Sequence, residues 1–198
     1  MTFFRKASAS INGPFDDIVK PAHVQLLDYE VEIGLVIGRA IPVGTSIADL
    51  NLADVVAGLV VTNDVSARDI QLPQTQFYEG KSYPTFTPVG PQLVLLNADE
   101  ISRFGQLRLR LIVNGEERQN ALVEGDMLYR PQQALHSLAQ FQELAPGDLV
   151  LTGTPGGTAL SAPPKPAQLI ANLLPPAMKW KAFFARQADN PKYLRHGD

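Results

Sequence analysis

Val31, Ile33, Leu35 and Ile37 alternate with Glu30, Glu32, Gly34, Val36 and Gly38. That period of two predicts a β-strand with one apolar face. The other face carries two carboxylates two residues apart, among small or apolar neighbours. Like charges held that close repel, and a site away from water raises the cost. A divalent cation would relieve both effects. The plainer alternative is a strand end with two solvated glutamates.

Elsewhere the same patterning predicts a mostly β chain. Residues 54–62 form an apolar, β-rich run that ends at Asn63-Asp64, and apolar character on both faces places it centrally in a sheet. Residues 88–96 read as a further strand. Residues 107–113 alternate into Asn114-Gly115, a two-residue hairpin signal, with 118–123 as the return strand. Pro131 stands where a first helical residue would, and Leu135, Leu138 and Phe141 form a stripe, so 131–144 is the best helix candidate. Ser46 could cap a short helix over 47–52. Residues 66–80 read as irregular, and 149–152 as a short strand leading into Gly153-Thr154-Pro155-Gly156-Gly157. No lysine followed by Ser or Thr closes that turn, so it is not a nucleotide-phosphate loop. The elements sum to a mainly β (α+β) fold with few helices, not an alternating βαβ chain.

Composition narrows the picture. The chain has 198 residues, enough for a single domain over 1–198. A net charge of -3 argues against a nucleic-acid partner, and the absence of cysteine excludes disulfides and thiolate metal sites. No apolar run approaches the length of a membrane span and no signal peptide opens the chain, so the expectation is a cytoplasmic protein with no membrane partner. His23, His136 and His196 lack metal-ligand spacing. Residues 158–193 form a longer, proline-rich connection. From Thr158 to Arg195 there are six Lys or Arg residues and one acid, and Trp180, Phe183 and Phe184 share a face of a candidate helix over 178–187. That helix could pack on its own domain or cover the site as a lid.

Asp64, at the end of an apolar strand, is either a site acid or a turn acid. Arg68, Gln71 and the Gly80-Lys81 pair would each pass as surface residues in isolation. Their order is more telling. Glu30-Val31-Glu32, then Asn63-Asp64-Val65-Ser66-Ala67-Arg68-Asp69-Ile70-Gln71, Gly80-Lys81-Ser82, Pro88-Val89-Gly90-Pro91, Asn114-Gly115-Glu116, Pro146-Gly147-Asp148 and Gly153-Thr154-Pro155 follow one another at spacings that resemble the fumarylacetoacetate hydrolase family.

The resemblance implies a mixed β-sandwich roll with one divalent cation, Mg²⁺ or Mn²⁺, held by Glu30, Glu32 and Asp64. It implies Lys81 as the catalytic lysine and Arg68, Gln71 and Thr154 as substrate-binding residues, with Thr85 a weaker match near the lysine. It also implies a homodimer, a 2-oxo acid substrate, and chemistry through an enolate that the cation and Lys81 stabilise. Hydrolysis of a C–C bond in an acylpyruvate-type substrate is the first expectation; isomerisation or decarboxylation of a related 2-oxo dienoate is the alternative. A further alternative is a non-catalytic member. In the family's shorter hydrolases a His...Glu pair on a lid precedes the opening segment, whereas this sequence begins inside that segment, at Phe3-Phe4-Arg5-Lys6, and stops at a turn that a further strand usually follows. The expectation is that either end is incomplete.

Overall fold

The computed structural model describes residues 1–165 and 175–198. Its main sheet has the order β1 (Ile11–Asn12), β6 (Thr87–Leu95), β4 (Val56–Asn63), β3 (Val31–Ile37), β9 (Leu149–Leu151). The predicted carboxylate strand is β3 (Val31–Ile37). Val31, Ile33, Leu35 and Ile37 all enter the main hydrophobic core, as the alternation requires. The opposite face admits no side chain at Gly34, where a Cβ would stand 2.7–2.9 Å from side-chain atoms of Leu149, Val60 and Thr62.

Strand β4 (Val56–Asn63) pairs antiparallel with β3, with Glu32 opposite Thr62 and Val31 opposite Asn63. On its other edge lies β6 (Thr87–Leu95), so β4 is central as expected. Its apolar surface is not wholly buried, however. Val61 is 52% exposed on the same face as the exposed Val94 of β6, while Leu93 and Leu95 are exposed on the other face. On the far edge of β3 is β9 (Leu149–Leu151), and β1 (Ile11–Asn12) adds in parallel to the start of β6. Two small ladders complete the β structure: β2 (Leu27–Asp28) with β5 (Ser66–Ala67), and the hairpin of β7 (Arg108–Val113) and β8 (Glu116–Leu122). Asn114 and Gly115 take φ values of 50° and 81°, the left-handed pair that a tight hairpin turn needs.

The helices are short. Ser46 caps only a turn, through its contacts with Asp49, and the helix starts later, at α1 (Leu52–Val55), because the Asn51 side chain accepts the Ala53 N–H at 3.2 Å. Residues 66–80, expected to be irregular, contain β5, α2 (Arg68–Gln71) and the start of α3 (Tyr78–Lys81). Segments of two to four residues are too short for any periodicity to register. After α4 (Ala98–Ser102) and the kinked turn α5 (Val123–Asp126), helix α6 (Pro131–Ala139) begins on Pro131 as predicted. It buries Leu135 and Leu138 but ends before Phe141, which is exposed and packs its ring 6.2 Å from that of Phe3.

Helix α7 (Pro176–Ala188) carries the predicted aromatic face, with Trp180 and Phe184 stacked at 5.6 Å. Phe184 packs against the cluster of Leu26, Tyr29, Ala159 and Tyr193, so the helix docks on its own domain. The part of the proline-rich connection at 166–174 lies outside the described residues. No helix among the described residues is long and apolar enough to cross a membrane.

Candidate metal centre and active site

The parity of two strands brings three carboxylates together. Glu30 and Glu32 share a face because they are two residues apart. Thr62 lies opposite Glu32, and the pairing continues past the end of β4 through an Asp64 N–H···O Glu30 hydrogen bond of 2.8 Å. Asp64, two residues beyond Thr62, therefore falls on the same face, across from Glu30. One oxygen from each of Glu30, Glu32 and Asp64 lies within 4.8 Å of the other two. All three residues are buried.

Lys81 reaches them from the end of α3. Its Nζ donates to Glu30 Oε2 and to Asp64 Oδ2, both at 2.7 Å. The preceding Gly80 is what lets α3 close on α2, since a Cβ there would stand 3.0 Å from the backbone of Gln71. Arg68, on α2, is a buried three-way brace. Its guanidinium donates to Glu30 Oε1 at 2.5 Å, Asp28 Oδ2 at 2.8 Å and Gln71 Oε1 at 2.8 Å. The Gly153-Thr154-Pro155 turn closes the other side. Gly153 N–H donates to Glu32 Oε2 at 2.6 Å, and the Thr154 hydroxyl donates to Val31 O at 3.0 Å. Glu30, Glu32, Asp64, Lys81, Arg68, Gln71 and Thr154 are thus gathered around one carboxylate cluster. Thr85 serves the backbone instead, accepting the Val19 N–H at 2.8 Å.

Three residues of the site escaped sequence reasoning. Lys6, from the opening segment, donates to Asp64 Oδ1 at 2.5 Å and to Phe86 O at 3.1 Å. Asp28, fully buried, holds Arg68 from behind and also accepts the backbone N–H groups of Ala159 and Leu160, at 2.8 and 3.1 Å. Gln119 of β8 clamps the Gly153-Thr154-Pro155 turn to β3, accepting from Val31 N while donating to Thr154 Oγ1 and Pro155 O. Each acts on a partner more than thirty residues away, and no local spacing announces that.

The charges leave one carboxylate uncompensated. Lys6, Lys81 and Arg68 between them contact Asp28, Glu30 and Asp64, while among the described residues Glu32 receives only the Gly153 N–H. Burial, then the charges of Asp64 and Glu30, push the Glu32 carboxyl up to about 8. Burial likewise lowers the Lys6 ammonium, against the pull of Asp64. An acid whose pKa is raised on folding stabilises the fold fully below its unfolded pKa, and that contribution is lost as pH climbs through the folded value. Thermal melts of the metal-free protein should therefore show Tm falling between about pH 5 and pH 8. Glu32→Gln should flatten that slope; an unchanged slope in the variant would assign the effect elsewhere.

The donor set suits a hard divalent cation: three anionic oxygens and no nitrogen or sulfur ligand. Mutual repulsion at Glu32 is the strain that such an ion relieves. A cleft of about 980 Å³ opens at this corner, with Lys6, Glu32, Asp64 and Thr154 in its lining.

Fold and site together define a family, and the chain belongs to it: residues 1–198 match the family described as fumarylacetoacetate (FAA) hydrolase C-terminal. Among curated relatives, the chain is 38% identical over 162 residues to the mitochondrial oxaloacetate tautomerase Fahd2a of Rattus norvegicus, a match covering 81% of this chain and 50% of the relative. It is 37% identical to a 2,4-didehydro-3-deoxy-L-rhamnonate hydrolase of Sphingomonas sp., over 85% of this chain and 57% of that protein. Among solved structures, a 2-hydroxyhepta-2,4-diene-1,7-dioate isomerase from Mycobacterium marinum superposes with a TM-score of 0.69 at 35% identity, covering 77% of this chain and 57% of the other. The chain spans about half the length of the curated relatives it matches. The mixed α+β roll with few helices is the fold of these neighbours.

Proposed function

We propose that this protein is a divalent-metal-dependent enzyme acting on 2-oxo acids, with C–C bond hydrolysis of an acylpyruvate-type substrate as its reaction. The observation that carries the reading is the convergence of Glu30, Glu32 and Asp64 with the Lys81 ammonium 2.7 Å from two of them. Glu30, Glu32 and Asp64 would hold Mg²⁺ or Mn²⁺, which supplies Lewis acidity to the substrate's carbonyl oxygen.

The chain's own groups do the rest. Arg68 fixes Gln71 by its Oε1, which leaves the amide N–H₂ to a ligand, and Thr154 offers a hydroxyl already oriented by Gln119 and Val31. These two orient the 2-oxo acid head. In hydrolysis, water adds to the distal acyl carbonyl and the adjacent C–C bond breaks. The acyl carbon leaves as a carboxylic acid, and the bonding pair passes to the 2-oxo acid fragment as an enolate with negative charge on its oxygen. That fragment takes up a proton at carbon to give the 2-oxo acid. The Lys81 ammonium, held in place before the reaction, favours that charge in the transition state over the neutral carbonyl of the ground state. Lys81 is also the group placed to pass a proton to or from the adjacent carbon.

A second reading, keto–enol tautomerisation or double-bond isomerisation, has its own support. Among the described residues no histidine lines the cleft; His23 binds Tyr83 and His136 binds Thr45 O, both elsewhere. Tautomerisation needs no activated water, only the proton transfer that Lys81 serves. Proton NMR in D₂O tests both readings: with Mg²⁺ or Mn²⁺ the protein should exchange the C3 protons of oxaloacetate or pyruvate, and loss of an acylpyruvate's absorbance should report cleavage. Exchange without cleavage selects the tautomerase reading. Neither, with either metal, points to the non-catalytic member.

The homodimer is part of the same proposal. Val61 and Val94 on one face of the sheet, and Leu93 and Leu95 on the other, are each roughly half or more exposed, and apolar exposure on this scale supports a protein contact. Sedimentation should give a dimer at micromolar concentration, and Leu95→Lys should shift it to monomer. A clean monomer for the unaltered chain would sink this part.

A further inference from the structure

The wall of the cleft changes character away from the carboxylate cluster. Next to the site stands Phe4, its ring 5.3 Å from Lys81 Nζ and 40% exposed. The lining also includes Phe3, Met127, Leu128 and Tyr129, of which Leu128 is 90% exposed and Tyr129 48%. Large apolar side chains left open on the wall of a polar site are the form that ligand pockets take.

The charges of the outer wall point the same way. Beyond Lys6, the charged side chains of the cleft among the described residues, apart from Glu32 and Asp64, are Arg5 against Asp126, Glu143 and Asp148. Arg5 is exposed and reaches Gln142 Oε1 at 3.5 Å, and Asp148 turns one oxygen to the Ala145 N–H at 2.8 Å. Three carboxylates to one guanidinium repel an anionic group, and among the described residues no bidentate clamp for a second carboxylate is assembled there. The volume, about 980 Å³, also exceeds what a four-carbon acid needs.

We propose that the outer cleft is a subsite for an uncharged, apolar tail, so that the preferred ligands are monocarboxylic 2-oxo acids with an extended hydrocarbon end rather than 2-oxo diacids. This rests on the proposed 2-oxo acid reading, which places the head at Glu30, Glu32 and Asp64. The tail runs from there past Phe4 toward Met127 and Leu128. Each methylene moved from water onto such a wall tightens binding by about fourfold when fully covered.

Calorimetric titration of the Mg²⁺-loaded protein tests this without relying on turnover. Affinity should rise from pyruvate through 2-oxopentanoate to 2-oxooctanoate, by at least about tenfold across the series. 2-Oxoglutarate should bind more weakly than 2-oxopentanoate, which has the same chain length without the second charge. Leu128→Lys alters an exposed side chain, and should weaken 2-oxooctanoate and narrow or reverse the 2-oxopentanoate preference while leaving pyruvate unchanged. Pyruvate binding with no gain along the series, or tighter binding of 2-oxoglutarate, overturns the subsite and leaves the head-group reading standing. Binding of none of these acids overturns both. If Leu128→Lys dissociates a dimer and leaves the acid series unchanged, the wall is a subunit contact and the subsite is wrong.

Discussion

Asp64→Asn is expected to reduce turnover of the native substrate by at least ~1,000-fold and to weaken Mn²⁺ binding by at least ~100-fold. A metal used as a Lewis acid supplies several kcal/mol of transition-state stabilisation, and each 1.36 kcal/mol is a factor of ten in rate. The effect should be that large because Asp64 is shared. Its two oxygens meet Lys6 at 2.5 Å and Lys81 at 2.7 Å, and it is the one proposed ligand that does not come from the β3 segment. Substitution by the neutral isostere keeps the shape and the Asp64 backbone bond to Glu30. It removes the charge that offsets the buried Lys81 and half-buried Lys6 ammonium groups and that a cation would share. Far-UV circular dichroism separates this from unfolding, and calorimetry with Mn²⁺ reads the affinity. A folded variant that binds Mn²⁺ and turns over normally would remove Asp64 from the metal site.

Lys81→Met should lower kcat by at least ~100-fold, the size of losing one preorganised donor to a developing oxyanion, while Mn²⁺ affinity holds or rises. The second half follows from geometry. The Lys81 ammonium donates to Glu30 Oε2 and Asp64 Oδ2, oxygens that a cation also needs. Without Lys81 the three carboxylates are less compensated, so the metal-free variant should melt lower and gain more from metal than the parent does. Methionine fills most of the buried volume without charge. Titration with Mn²⁺, melts with and without the ion, and single-turnover rates test the three statements. Near-normal turnover would reduce Lys81 to a structural counter-charge; lost metal binding would show that Lys81 builds the site rather than serving the chemistry.

Local patterning was enough for the elements that are both long and regular. The alternation from Glu30 to Gly38 determined which residues of β3 enter the core and which two carboxylates share the other face, because a strand has only two faces. Asn114-Gly115 determined the β7–β8 turn, since few other pairs accept two left-handed residues in a row. Pro131 marked the start of α6 for an equally local reason, its fixed φ and missing N–H. The order of short motifs then added Asp64, Lys81, Arg68, Gln71 and Thr154 as candidates through resemblance, not through any period of their own.

Only the tertiary structure decided how those candidates meet. Antiparallel pairing of β3 with β4 set Asp64 across from Glu30, and a register one residue different would have turned it to the other face. Lys6, Asp28 and Gln119 joined the site from 58, 40 and 35 residues away along the chain from the partners they hold. The end of α6 before Phe141, the four-residue helices that present Arg68 and Lys81, and the docking of α7 on Tyr29 and Tyr193 were decided there too. The physical reason is common to all of them. A strand or turn preference is a property of neighbouring residues, whereas a buried ion pair or a packed face depends on which distant groups the closed chain leaves beside it.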